Sequence, residues 1–156
     1  MYSLDDIDLQ ILSILQKDAK TAYTEIAKKL FISAGTVHVR MKKMEEMGVV
    51  KSFNLAIDYK KLGYDVTAFL GIYLDKSANY ATVAKALSDI PEIIDMHYTT
   101  GNYAMFIKLI CKDTNHLRQI LMEKIQTIDA ITRTETFISL QEEALNRAIT
   151  IDLKSE

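Results

Sequence analysis

Residues 24–50 read TEIAKKLFISAGTVHVRMKKMEEMGVV, and this stretch decides the fold. Ile26, Ala27 and Leu30 give Thr24–Leu30 one apolar face, which is the pattern of a short amphipathic helix. Phe31-Ile32-Ser33 reads as a tight turn, with Ser33 suited to cap a second helix. That second helix runs from about Ala34 to Met47 and stops at Gly48, its apolar stripe being Val37, Met41 and Met44 at i, i+4 and i+7. Two short helices joined by a three-residue turn outline a helix-turn-helix, whose second helix enters the DNA major groove. The competing reading of the same outline is a winged helix that binds protein.

Upstream, Leu4, Ile7, Ile11, Leu12, Ile14 and Leu15 recur at helical spacing, and Asp5, Asp6 and Asp8 occupy the first turn. Acids there complement the helix dipole, so a helix over Asp5–Lys17 is predicted, and three such helices close a small core. Downstream, Val49–Ile57 (VVKSFNLAI) has strand propensity and reads as a wing or β-linker. The polar run 58–64 (DYKKLGY) reads as a hinge.

The remainder reads β-α-β-β-α-β. Asp65–Leu74 is a strand with Val66, Ala68, Leu70 and Ile72 on one face and Phe69 and Tyr73 on the other. Tyr80, Val83, Ala84 and Leu87 mark a helix stopped by Pro91. Ile93–Thr100 and Tyr103–Cys111 are strands joined across Gly101-Asn102, a hairpin signal. Leu117, Ile120, Leu121, Ile125 and Ile128 mark a helix opening near Thr114, and Ile131–Leu140 is a β-branched last strand. The fold class is therefore α+β. A helix-turn-helix (winged-helix-like) domain covers 1–57, a hinge 58–64, and a βαββαβ ferredoxin-like sandwich 65–156. Phe69, Tyr73, Phe106 and Ile110 make the helix-free sheet face apolar too, so a second subunit is expected to cover it.

Charge divides along the same line. The 156-residue chain carries a net −2, of which residues 1–62 hold +2 and residues 63–156 hold −4. Between Lys20 and Lys43 stand six basic residues and one acid, Glu25. A locally basic segment in an acidic chain suits a polyanion, although a solvated helix surface gives the same count. One cysteine, Cys111, allows no internal disulfide and fits a reducing compartment. The N-terminus, MYSLDDIDLQ, lacks a basic n-region, and no apolar run reaches the roughly 18 residues of a membrane span. A soluble, cytoplasmic protein is expected, with no membrane partner.

On the wheel of the second helix, Gly35, Val39, Lys42 and Lys43 lie opposite the apolar stripe, flanked by Thr36 and His38. Gly35, Thr36 and His38 suit base or sugar contact, Val39 a thymine methyl, and Lys42 and Lys43 phosphates. Ser33 caps the helix and is placed for a phosphate. Arg40, at the edge of the buried face, reads equally as a phosphate contact or a brace. His38, His97 and His116 have no companions at ligand spacing, so no metal is expected. Cys111 falls in a strand, where a buried thiol is inert. No catalytic or nucleotide fingerprint is present, and nothing argues for an enzyme.

Two polar clusters fall on loops at element ends, where small ligands bind: Thr99, Thr100, Gly101, Asn102, Tyr103 and Ala104, and Gln126, Thr127, Ile128 and Asp129. Read from residues alone, the first is foremost a good turn and the second the end of a helix. An amino acid would find carboxylate donors in the backbone around Gly101 and an ammonium acceptor in Asp129 or a main-chain carbonyl.

LDDIDLQILSILQKDAKTAYTEIAKKL, SAGTVHVRMKKMEEMGVV, LGYDV, YTTGNY and KIQTIDAITRTETFISLQ, in this order, resemble the Lrp/AsnC (feast/famine) transcriptional regulators over nearly the whole chain. TAY, GTVHVR, LGYDV, YTTGNY and KIQTID resemble the asparagine-responsive branch most closely. The resemblance implies a sequence-specific regulator of amino-acid metabolism genes that binds double-stranded DNA. It implies homodimers through the sheet domain that associate further, often into octamers. It implies no cofactor, only an amino-acid effector, asparagine being the best match, held between subunits by Thr99–Ala104 and Gln126–Asp129. Many members of the family carry an acid at the position of Ala104, and an alanine side chain cannot bind an ammonium. Two other readings stay open: an architectural DNA-binding protein without effector, and a ligand-binding module whose winged helix contacts protein.

Overall fold

A computed structural model describes residues 3–76, 79–143 and 151. They divide into two compact units, one on residues up to Leu55 and one on Ala56–Glu143, with Ile151 belonging to the first.

Among the described residues, the first unit holds three helices. α1 (Asp6–Lys17) is opened by a capping box in which Asp5 Oδ1 accepts from the Asp8 N–H at 2.9 Å and Asp8 Oδ2 accepts from the Asp5 N–H at 3.1 Å. α2 (Tyr23–Leu30) ends at Phe31, whose φ of 55° is left-handed, and the Ile32 N–H returns to the Ala27 carbonyl at 3.0 Å. α3 (Ala34–Glu46) starts at Ser33, whose Oγ accepts from the Thr36 N–H at 3.0 Å, and the chain leaves it through Gly48 at φ 71°. Ile11, Leu15, Ile26, Val37, Met41 and Met44 form its core, in agreement with the apolar stripes of the three segments.

Val49–Ile57 is not a strand. Residues 51–58 join no ladder, and Phe53, Leu55 and Ile57 are exposed. Strand propensity is realised only where a second strand accepts the backbone hydrogen bonds, and among the described residues none pairs with this segment. The run predicted as a hinge carries a 3-10 turn, Tyr59–Leu62, ended by Gly63 at φ 85°.

The second unit is an antiparallel sheet of β1 (Val66–Leu74), β2 (Ile93–Tyr98), β3 (Met105–Cys111) and β4 (Ile131–Ile138), in the order β2-β3-β1-β4. α4 (Tyr80–Ser88) and α5 (Thr114–Gln119) cover one face. Ala68, Leu70 and Ile72 meet Ile107, Leu109, Val83, Leu87, Leu117 and Ile120 there in a closed core. Burying each large aliphatic side chain contributes about 1.5–3 kcal/mol. The buried Cys111 thiol is pushed up to about 11 by desolvation, which leaves it inert at neutral pH. The helix predicted from Thr114 does not stay α-helical. Ile120–Ile125 continues it as a π-helical turn, and the Gln126 N–H bonds the Leu121 carbonyl at 2.8 Å. π turns concentrate at functional sites, and this one delivers the chain to Gln126–Asp129.

The other sheet face is aromatic, as the alternation predicts, with Lys108, Arg133 and Glu135 set among the rings. Phe69 and Phe106 stack at 5.9 Å, and Tyr103 and Phe137 extend the cluster. Phe69, Phe106 and Tyr103 are half-buried, Ile110 is buried, and Phe137 is 47% exposed. No helix among the described residues is long and apolar enough to cross a membrane.

Candidate nucleic-acid interface and ligand loops

α3 shows two sides. Val37, Met41 and Met44 are buried, whereas Gly35, His38, Val39, Lys42 and Lys43 are exposed. Val39, on the same side, is 60% exposed. Gly35, Thr36, Val39, Arg40 and Lys43 line one shallow depression on this side. The Ser33 and Thr36 hydroxyls lie 2.9 Å apart and bond each other at the helix start. The His38 ring sits 6.2 Å from that of Tyr23, so α2 steadies it. Lys42 pairs loosely with Glu46 at 3.9 Å.

Arg40 makes the contacts of a brace. Its Nη1 donates to Asp8 Oδ1 at 2.8 Å and to Asp5 Oδ2 at 2.7 Å. Asp8 is wholly buried, so the capping box of α1 and the middle of α3 share one ion cluster. Bonds to Asp8 and then to Asp5 push the guanidinium's pKa above its ordinary value. Burial opposes the charge on Asp5, but the Asp8 N–H and Arg40 outweigh it and hold that carboxyl below its ordinary range. Sequence reasoning placed Asp5 and Asp8 only as dipole partners. Their i, i+3 spacing was the signal for a capping box, but the link to Arg40 crosses more than thirty residues.

The loop 99–104 is a rigid hairpin end. The Thr99 N–H bonds the Ala104 carbonyl at 3.0 Å, and Thr99 Oγ1 donates to the Tyr103 carbonyl at 2.7 Å. Gly101 takes φ 126°, which only glycine adopts readily. Thr100, Gly101 and Asn102 are exposed, while the Ala104 methyl packs on the sheet core. Tyr103 turns away from the loop. Its ring lies over Gly71 on the helix-free face, and its hydroxyl donates to Glu135 Oε2 at 2.8 Å. The Tyr73 hydroxyl donates to Glu135 Oε1 at 3.1 Å, and Arg133 pairs with the same carboxylate. The Tyr103 bond, with Tyr73 and Arg133 behind it, holds the Glu135 carboxyl below its ordinary range despite desolvation. Arg133, Glu135 and Phe137 were not singled out from sequence. Their signal was period-two spacing in β4, which puts all three on the Tyr73 and Phe69 side.

In the second loop, Gln126, Thr127 and Asp129 are exposed, and Thr127 Oγ1 donates to the Lys124 carbonyl at 3.0 Å. Ile128 packs its side chain on the core, leaving its backbone to the loop. The register places both loops at the same end of the sheet. Ile72 pairs with Met105 just after the first loop, and Leu74 pairs with Ile131 just after the second. Strand β1 stands between them, and among the described residues no hydrogen bond joins one loop to the other.

Residues 4–51 match the winged helix-turn-helix DNA-binding family, and residues 67–149 match the Lrp/AsnC ligand-binding domain. The chain is 45% identical over 141 residues to regulatory protein AsnC of Haemophilus influenzae, covering 90% of this chain and 94% of that one. It is 42% identical over 140 residues to regulatory protein AsnC of Escherichia coli, covering 90% and 92%. The solved structure of E. coli AsnC superposes with a TM-score of 0.84 at 40% identity, covering 96% of this chain and 99% of that chain.

Proposed function

The chain belongs to the Lrp/AsnC family of transcriptional regulators, with a winged helix-turn-helix DNA-binding domain and a ligand-binding domain, and from that premise we propose that it is an amino-acid-responsive regulator of amino-acid metabolism genes. The observation that carries the DNA half is the exposed side of α3. On it, Gly35, Thr36, His38 and Val39 suit base edges and sugars, and Lys42 and Lys43 suit phosphates. Arg40 acts from behind as a brace, because its guanidinium serves two carboxylates of α1. Ser33 fixes the start of the helix from which these side chains project.

The effector in this reading is a small amino acid, asparagine first, because the full-length relatives at 42–45% identity carry the name AsnC. Thr99, Thr100, Gly101, Asn102, Tyr103 and Ala104 form one wall of its site, and Gln126, Thr127, Ile128 and Asp129 form another. Since β1 separates these loops within one chain, the two walls come from different subunits. Backbone N–H groups near Gly101 receive the carboxylate. Ala104 offers no charge, so the ammonium goes to Asp129 or a main-chain carbonyl. Dimers form through the helix-free sheet face and associate further, up to an octamer, in the cytoplasm where the DNA is.

Gel shifts on the region upstream of its own gene test this reading, with and without each amino acid. Retardation that weakens steeply with salt is expected, and asparagine alone changes the midpoint or the size of the complex. Lys42→Ala and Lys43→Ala lower affinity on every sequence alike, whereas Thr36→Ala and His38→Ala change the preferred sequence. No retardation at low salt sinks the DNA assignment. Retardation indifferent to all twenty amino acids sinks the effector and leaves an architectural DNA-binding protein.

A further inference from the structure

Among the described residues, Phe31 is the one non-glycine with a positive φ, 55°. It is also 95% exposed, so its ring packs against almost nothing in its own chain. Both neighbours, Leu30 and Ile32, pack on the helical core, and the left-handed kink between them throws residue 31 outward. Glycine would take this backbone with less strain, and asparagine is the side chain that tolerates it best. The fold therefore gains nothing from the ring that it would not gain from glycine. Strain kept without return in packing marks a functional position.

The surroundings say what the ring meets. Exposed Lys28 and Lys29 close α2 three and two residues before it, and the first turn of α3, with its positive dipole end, begins three residues after it. An apolar ring with a cationic rim matches a surface that alternates apolar sugar faces with anionic phosphates. We propose that Phe31 is a DNA-contacting residue whose ring lies on the deoxyribose face of the backbone flanking the groove that α3 enters. The inference rests on the DNA-binding reading of α3 and adds to it a sequence-independent apolar contact.

The test measures affinity of the full chain for two duplexes, one from the region upstream of its own gene and one of random sequence, in low salt. Phe31→Asn and Phe31→Gly lower affinity about tenfold on both, the loss expected for about 1.4 kcal/mol of aromatic contact. Phe31→Tyr stays within about twofold of the parent. Phe31→Gly also raises the melting temperature by roughly 2–8 °C through relief of the backbone, so weaker binding cannot be ascribed to unfolding. The slope of log affinity against log salt stays unchanged in the Phe31 variants and shrinks in Lys28→Ala and Lys29→Ala, because only the lysines release counterions. Parent-like binding by Phe31→Asn overturns the proposal and points to a protein partner for the ring. Loss on one duplex only, or a Phe31→Tyr variant as weak as Phe31→Asn, overturns it as well. A parent chain that binds neither duplex removes the DNA reading itself.

Discussion

Arg40 shows how one residue can answer two sequence patterns at once. By charge it belongs with Lys42 and Lys43, and by position it borders the stripe Val37, Met41 and Met44. The structure supplies what the pattern lacked, a buried acid. Asp8 has no access to water, and a carboxylate in that position is tolerated only with a partner and donors around it. Arg40 supplies the charge, and the Asp5 N–H donates within the same box. Arg40→Ala is expected to cost about 2–4 kcal/mol, toward the lower end for a broken buried pair because the guanidinium is partly exposed. Urea unfolding of Arg40→Ala, Asp8→Asn and the double variant checks this. The double variant should lose much less than the sum of the two singles, and additive losses would show that the groups do not act together. The same cycle read by DNA affinity separates brace from contact. A bracing Arg40 leaves the salt slope of the folded variant unchanged, whereas a phosphate contact lowers it by about one.

At the scale of elements, Gly71 in the middle of β1 explains why a central strand carries no side chain there. A Cβ at this position would stand 2.5 Å from the Tyr103 ring, nearer than any real contact. Gly71→Ala therefore lifts Tyr103 off the sheet and away from Glu135, at about 1–3 kcal/mol for overpacking. Thermal melts should show the penalty shrinking when Tyr103→Ala is added, and an equal penalty in both backgrounds would assign it to β1 itself. The Glu135 carboxyl adds a pH signature. Its folded pKa lies below the unfolded value, so its contribution is complete above the unfolded pKa and is lost as pH falls through the folded one. Melts between about pH 7 and about pH 3 should show a steeper fall for the parent than for Glu135→Gln, and parallel curves would refute the link. The same physics decides which elements could be read beforehand. β1 and β3 were legible because every second residue faces a core within the chain; the hairpin was legible as a hairpin, but its strands stop at Tyr98 and resume at Met105, so the predicted two-residue turn at Gly101-Asn102 is a six-residue loop. Residues 49–57 form no ladder among the described residues, because strand propensity alone does not supply a partner. The π turn at Ile120–Ile125 was illegible because Leu117, Ile120, Leu121 and Ile125 fit an α-helical stripe as well as a π-helical one.

For the molecule as a whole, the helix-free sheet face decides whether one recognition helix or several act together. Phe69, Phe106, Phe137, Tyr73 and Tyr103 form a continuous aromatic layer, with Phe69 and Phe106 stacked at its centre. An aromatic patch on a sheet face is a favourable docking surface, and a second copy offers the same patch in return, which is the self-complementary surface a two-fold dimer needs. Phe106→Glu places a charge in the middle of that layer and leaves the opposite core, built on Ile107 and Leu109, untouched. The variant should sediment as a folded monomer where the parent sediments as a dimer or larger. Its affinity for a random short duplex, which one helix can engage, should change little. Its affinity for a duplex long enough for two recognition helices should fall about a hundredfold, because the second helix no longer arrives at the effective concentration that the dimer provides. On the proposed reading the asparagine response should vanish with the same substitution, since walls drawn from two subunits would not close on a ligand in a monomer. This is read as the loss of the rise in melting temperature that a ligand bound only to the folded state produces. A Phe106→Glu variant that keeps the parent's mass would place the dimer elsewhere. One that becomes monomeric yet still responds to asparagine would return both walls of the site to a single chain.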